Sequence, residues 1–322
     1  MNERILAAIE ARGRDLEVLR TLHDVPPHEV YEIEFDGRRA VCKVSVAPRG
    51  SAGVEGRALR RVGRETSIPV PDVLDVGEDW FVAAYREEAP GDVPDDEKRL
   101  REGWLRAAGR TLARLHEEAT FDRPGLLAVD GDPTDSASGL RVEAAVDATW
   151  PDALDDQLAV YERSVAGTGY ANAVAGAREF LRAHADRFDV LEEGSAPLLH
   201  GWFTPDHVAV ADGEPTCVID FEHALAGSPE WDYWRTAVPL FVGGNWKQPD
   251  DAEAQFRSAY ESVRPLPDGF DDRGESYRAF VAASHFDSLA TQRGIHEETR
   301  EIAEFLVEYV DETLDSCRDR WR

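Results

Sequence analysis

The sequence predicts an α+β fold in two lobes: a small antiparallel sheet carrying one helix, followed by a mainly helical C-terminal lobe. Three observations predict it. Apolar and polar residues alternate through much of the first 85 positions. A helical period dominates the chain beyond residue 100. Between the two regimes lies AYREEAPGDVPDDE, a polar stretch rich in Pro and acid that reads as a hinge or linker. The boundary is placed inside it, giving lobes of residues 1–86 and 87–322.

In the first lobe, VYEIEFDGRRAVCKVSV alternates on both sides of Asp36-Gly37, a dipeptide suited to a two-residue hairpin turn. DLEVLRTLHDV supplies a strand before it. GVEGRALRRVGRE carries Val54, Ala58, Leu59 and Val62 at helical spacing and is closed by the extended Ile68-Pro69-Val70-Pro71. VLDVGEDWFVAAYRE then gives two strands around a Gly-Glu-Asp turn. The expectation is one helix inserted among about five antiparallel strands.

In the second lobe, WLRAAGRTLARLHEEA places Leu105, Ala108, Leu112 and Leu115 on one helical face. DDQLAVYERSVAG, ANAVAGAREFLRAHADRF and TREIAEFLVEYVDETLDSC are helical by the same test. One stretch breaks the pattern: PLLHGWFTPDHVAVADGEPTCVIDFE reads as a loop and two short strands. Residues 121–150 are rich in Asp and Gly and read as an insertion in the lobe. No internal repeat is present.

A chain of 322 residues with 42% apolar and 9% aromatic content buries a substantial core and is not disordered. Its charge is the outlier, because 64 acidic against 36 basic residues leave a net −28. Only Lys43, Lys98 and Lys247 are lysines. Such a surface suits a proteome adapted to molar salt, where the Debye length falls to about 3 Å and self-repulsion is screened. An acidic face for cationic partners is the rival reading, but the acids are spread along the chain rather than gathered in a block. No basic stripe is available for a nucleic acid. Cys42, Cys217 and Cys317 are scattered and show no metal-site spacing, which fits a reducing compartment. The N-terminus lacks a signal-like apolar core, and no run of about 20 apolar residues occurs, so a cytoplasmic protein without a membrane partner is expected.

Lys43 is the most informative residue of the first lobe. In a chain where nearly every basic residue is Arg, a lysine inside the apolar VCKV calls for a compact ammonium rather than a planar guanidinium. Glu55, at the start of the next helix, is an acid that could orient it. The alternative is a lysine snorkelling from an exposed edge. In the second lobe the polar residues gather in LLHGWFTPDHVAV, residues 198–210, and VIDFEHALAG, residues 218–227.

These two stretches resemble the catalytic and metal loops of the aminoglycoside phosphotransferase and choline kinase family, relatives of the protein kinases. In that family HGDxxxxN is followed by ID[WF]E. Here His200-Gly201 matches HG, position 202 the Asp and position 207 the Asn, and Asp220, 18 residues after Trp202, matches the metal-binding Asp. IPVPDVLDVGEDWFVAAY, AAGRTLARLHEEA and GSPEWDYWRTA extend the likeness over most of the chain. It implies a protein-kinase-like fold whose first lobe binds nucleotide. It further implies ATP with Mg²⁺ or Mn²⁺ as cofactors, and a small molecule bearing a hydroxyl or amine as acceptor. By that likeness Lys43 contacts the α- and β-phosphates, Glu55 holds Lys43, Asp220 binds metal and Asp232 braces the catalytic loop.

Three departures qualify the implication. Trp202 stands where the family has its proton-accepting Asp, and an indole accepts nothing. His207 replaces the metal-holding Asn, and VPPHEVY contains no glycine to cover phosphates. The candidate catalytic residues are therefore Asp206 and His200, and the candidate metal ligands Asp220 and His207. Asp206 either replaces the base or caps a turn after Pro205. Imidazole at 207 suits Mn²⁺ better than the harder Mg²⁺. Glu222 and His223 either add polar groups to the site or begin the next helix. Two functions stay open: a phosphotransferase with weakened or rewired catalysis, and a pseudokinase acting as nucleotide sensor or scaffold. Neither the acceptor nor the oligomeric state is specified.

Overall fold

A computed structural model describes residues 3–91, 93–94, 96–243 and 246–322. The N-terminal lobe runs α1 (Glu3–Glu10), β1 (Leu16–Val25), β2 (His28–Phe35), β3 (Arg38–Ser45), α2 (Ala52–Glu65), β4 (Val73–Val76) and β5 (Trp80–Ala84). Its five strands form one antiparallel sheet in the order β1-β2-β3-β5-β4, as the alternation predicts. The β2–β3 turn takes positive φ at both Asp36 and Gly37, the geometry that matches the strand twist.

Alternation along β3 decides what each face does. Ala40, Cys42 and Val44 point to the side closed by Ile5 and Ile9 of α1 and form a small core there. Val41 and Lys43 therefore point the other way, towards α2 and the second lobe.

The C-terminal lobe continues with α3 (Glu102–Glu118), β6 (Thr120–Phe121), β7 (Gly125–Asp130), β8 (Gly139–Glu143), α4 (Trp150–Ser164), α5 (Ala171–Ala183) and α6 (Ala185–Phe188). After these come β9 (Ala196–Leu199), β10 (Val208–Ala211), β11 (Glu214–Val218), β12 (Leu225–Ala226), α7 (Pro229–Ala237), α8 (Ala252–Glu261), α9 (Phe270–Ser288) and α10 (Glu297–Arg320). π-helical turns at Val238–Val242 and Leu289–Arg293 extend α7 and α9. Trp150, Trp231, Tyr233, Tyr260 and Tyr277 are fully enclosed, so the aromatics of PEWDYW belong largely to the core. All three cysteines are buried and free.

The sequence suggests one hairpin in this lobe. The structure contains β10–β11 and also a five-stranded sheet in the order β6-β9-β12-β7-β8. Two of its strands have two residues each, too short to show any period. The inserted segment of residues 121–150 supplies β7 and β8, and its connecting loop folds back over α2. There the buried Arg57 donates to five carbonyls, those of Gly53, Gly77, Pro133, Asp135 and Ser138, at 2.9–3.0 Å. Elsewhere the chain after the hinge joins the lobe through a parallel bridge between Arg99 and Lys247, where the Lys247 N–H donates to Lys98 O at 3.0 Å. Among the described residues no helix is long and apolar enough to cross a membrane.

Candidate active site

A cavity of about 700 Å³ opens between the lobes. Its roof is apolar, from Val25, Val30, Val41, Phe81 and Ala83 of the sheet, and Ile219 lies opposite. The cross-strand neighbours of Lys43 are Val30 and Phe81, so the lysine rises from the middle of an apolar face and not from an exposed edge. That size and lining suit a flat, drug-sized ligand with charge at one end.

At the polar end, three carboxylates surround one ammonium. Lys43 Nζ lies 2.8 Å from Glu55 Oε2, 2.9 Å from Asp220 Oδ1 and 3.1 Å from Glu222 Oε2. Burial pulls the Lys43 pKa down, but Asp220, Glu55 and Glu222 outweigh it and hold it well above the usual lysine value. Burial pushes Glu55 up to about 8 against the pull of Lys43, while Asp220 and Glu222 add to the rise. For Asp220 and Glu222 burial is overcome by Lys43, and both lie below the usual carboxylate range. One cation thus faces three acids, a surplus of negative charge suited to further cations.

Several histidines complete the site. Ser51 N–H donates to His28 Nε2 at 3.1 Å, so the ring proton sits on Nδ1, which lies 2.8 Å from Glu222 Oε2. His28 opens β2, directly after the glycine-free turn, and ties that turn to the second lobe. His207 Nδ1 lies 2.9 Å from Trp202 O and its Nε2 lies 3.2 Å from Asp220 Oδ2. His223 Nε2 lies 3.3 Å from Glu222 Oε1. Glu222 and His223 sit in a turn before β12 and do not begin a helix.

Among the described residues, the group of His28, Glu55 and Glu222 is compact enough for a metal ion. Lys43 already occupies its centre, and His28 presents an N–H rather than a lone pair, so this trio does not fit one. Asp220 Oδ2 and His207 Nε2, 3.2 Å apart and not engaged by Lys43, are a better-placed pair of donor atoms.

The loop bearing these residues is held from below by Asp232 of α7. Its Oδ2 accepts from His200 N–H and its Oδ1 from Gly201 N–H, both at 2.7 Å. His116 of α3 adds its Nε2 at 3.0 Å to Asp232 and is backed by Tyr260 at 2.8 Å. Gly201 has φ +85°, and a side chain there would meet His223 O at 2.5 Å, so only glycine lets the loop pass.

The structure brings Lys43, Glu55, Asp220 and His207 together. His200 is placed differently from a reacting group. It is fully buried, donating from Nε2 to Ile219 O at 2.9 Å and accepting at Nδ1 from Trp202 N–H at 3.3 Å. Burial pulls its pKa down to about 4, and its ring fastens the loop to the strand before Asp220. Asp206 lines the cavity, where its Oδ1 accepts from Val93 N–H at 3.1 Å. Trp202 forms cavity wall, with His285 5.6 Å away and the Arg235 guanidinium 5.0 Å from its ring. Sequence patterns gave no signal for His28, Arg235 or His285 as site residues. Each lies in an ordinary strand or helix; only the fold brings His28 and His285 to the cleft and sets Arg235 behind Trp202.

A model of the phosphotransferase enzyme family matches residues 17–270. Among solved structures, a thermostable mutant of the aminoglycoside phosphotransferase APH(4)-Ia, in ternary complex with ADP and hygromycin B, superposes with a TM-score of 0.64 at 18% identity, covering 98% of each chain. A protein of Thermobifida fusca YX-ER1 assigned as a fructosamine-3-kinase gives 0.63 at 21% identity, covering 96% of this chain and 98% of that one. The macrolide 2'-phosphotransferase MphH of Brachybacterium faecium gives 0.56 at 19%, covering 95% and 98%. No curated protein matches. At such identities the superpositions show a shared two-lobed fold.

Proposed function

The chain belongs to the phosphotransferase enzyme family, and from that premise we propose that it is an ATP-dependent phosphotransferase acting on a hydroxyl or amine of a small molecule. The observation that carries the reading is Lys43, held by Glu55 and set against Asp220 at the foot of an apolar inter-lobe cavity. The adenine and ribose would lie under the sheet. Lys43 would neutralise oxygens of the α- and β-phosphates, exchanging its contacts to Asp220 and Glu222 for theirs. Asp220 and His207 would hold a divalent ion, Mg²⁺ or Mn²⁺. When bound, such an ion supplies positive charge to the phosphoryl group in transit.

His28 takes the place of a glycine-rich cover by pinning the β1–β2 turn over the cleft. On the acceptor side Trp202 can receive no proton. Asp206 is the carboxylate of the same loop that reaches the cavity, and it would take the acceptor's proton as the new O–P or N–P bond forms and the bond between the γ-phosphoryl group and the departing ADP breaks. Turnover lacking a general base is slower by about 10²–10⁴-fold without being abolished, since phosphoryl transfer rests mainly on positioning and charge.

A second reading is favoured by Trp202 itself. Packed between Arg235 and His285, its indole occupies cavity wall beside the acceptor position, as a nucleotide sensor or scaffold without turnover could tolerate. Calorimetric titration of ATP with Mg²⁺ or Mn²⁺ in molar KCl tests the nucleotide site. Binding is expected to require metal, and Asp220→Ala is expected to weaken it at least about tenfold. Equal affinity in the variant would sink the reading. Phosphate transfer to any acceptor, lost in Asp220→Ala, would exclude the sensor.

A further inference from the structure

We propose that the metal position of this cleft selects a nitrogen-binding transition ion such as Mn²⁺ or Co²⁺ over Mg²⁺, with His207 Nε2 as a ligand beside Asp220 Oδ2. The inference rests on the reading of Asp220 as a metal residue and adds the identity of the ion. Its basis is the placement of one proton. His207 Nδ1 lies 2.9 Å from the carbonyl oxygen of Trp202, and a carbonyl only accepts. The Nδ1 atom therefore carries hydrogen, and in the neutral ring Nε2 carries a lone pair.

That lone pair faces Asp220 Oδ2, a second acceptor, at 3.2 Å. Two acceptors at this distance repel unless a proton or a metal cation engages them. The backbone contact at Nδ1 is also the arrangement that orients a metal-binding imidazole, fixing both tautomer and ring plane from outside the coordination sphere. Asp220 reaches the site in a left-handed conformation, φ +68°, with Oδ1 on Lys43 and Oδ2 turned to the imidazole. Glu222 is divided likewise. Its Oε2 serves Lys43 and His28, while Oε1 lies 3.3 Å from His223 Nε2. One carboxylate oxygen on each acid is thus turned away from the lysine and towards an imidazole nitrogen.

Imidazole shifts preference predictably. Mg²⁺ favours hard oxygen ligands in strict octahedral geometry, whereas nitrogen donors raise affinity along the series from Mn²⁺ to Co²⁺ and beyond. An asparagine oxygen at position 207 would suit Mg²⁺, and an imidazole nitrogen does not.

Binding of MgCl₂, MnCl₂ and CoCl₂ is to be measured calorimetrically in the presence of a non-hydrolysable ATP analogue, for the wild type, His207→Asn and Asp220→Ala. Wild-type protein is expected to bind Co²⁺ and Mn²⁺ at least roughly tenfold more tightly than Mg²⁺, and His207→Asn to remove most of that preference while still binding Mg²⁺. A preference unchanged in His207→Asn, with all binding still lost in Asp220→Ala, overturns this inference and leaves the proposed function standing. Metal binding that ignores Asp220→Ala, or none at all, overturns both. If His207→Asn does not fold, pulsed electron paramagnetic resonance of Mn²⁺ bound to the wild type decides. Nitrogen modulation from a directly bound imidazole supports the assignment, and its absence overturns it.

Discussion

Single side chains set the chemistry of this cleft, and several are buried in one protonation state. His200 is fully enclosed, with its pKa pulled down to about 4 from an ordinary value near 6.5. Between those values the unfolded chain binds the proton and the folded one does not. The stability from the neutral ring is therefore complete above pH 6.5 and is lost as pH falls towards 4. The loss amounts to about 3 kcal/mol for this residue. Denaturant titrations across this range are expected to show that fall together with those of His223 and His285, whose pKa values burial also pulls down to about 4, and His200→Asn to make it shallower; an equal slope in the variant would exclude the assignment. The role of His200 was not legible in the sequence. HG in a motif frame marks a position near the chemistry, but both ring nitrogens turn out to be spent on backbone, Nδ1 on Trp202 of the loop and Nε2 on Ile219 beyond it. Lys43 was legible because a lysine retained in an arginine-rich chain stands out, and its apolar flanks place it on a sheet.

At the scale of elements, the long periodic segments were readable and the short ones were not. Helices such as α3 and α10 announce themselves by an apolar stripe. The sheet β6-β9-β12-β7-β8 is held together by pairings between segments far apart in the chain, which no local pattern records. The β7–β8 loop is tied to α2 by Arg57, a buried cation served by carbonyls alone. Since α2 also carries Glu55, this connection helps fix the acid that holds Lys43. Arg57→Met is expected to cost about 2–4 kcal/mol, because buried carbonyls lose a charged donor. Amide exchange should quicken in residues 131–138 and along α2 and stay unchanged in α10. Uniform quickening would count against a local tie.

For the molecule as a whole, the two lobes are latched by Lys43 and His28 on Glu222, by Ser51 on the carbonyl of Glu222, and by Arg49 on Asp287. Around that latch lies a surface that gives the chain its net −28. Self-repulsion of the surface is screened as the Debye length shrinks from about 10 Å at 0.1 M salt to about 3 Å at 1 M. The melting temperature is accordingly expected to rise by on the order of 5 °C between those concentrations of KCl. A flat or falling melting temperature would argue that the acids serve a cationic partner instead. The scarcity of lysine carries a further, practical consequence. Lys43 is enclosed and held firmly as an ammonium, whereas Lys98 and Lys247 meet at the bridge beyond the hinge, with Lys247 exposed. Lysine-directed acylation should therefore reach Lys247 at that outer corner and spare Lys43, so that a dye attached there leaves the cleft open to ligand.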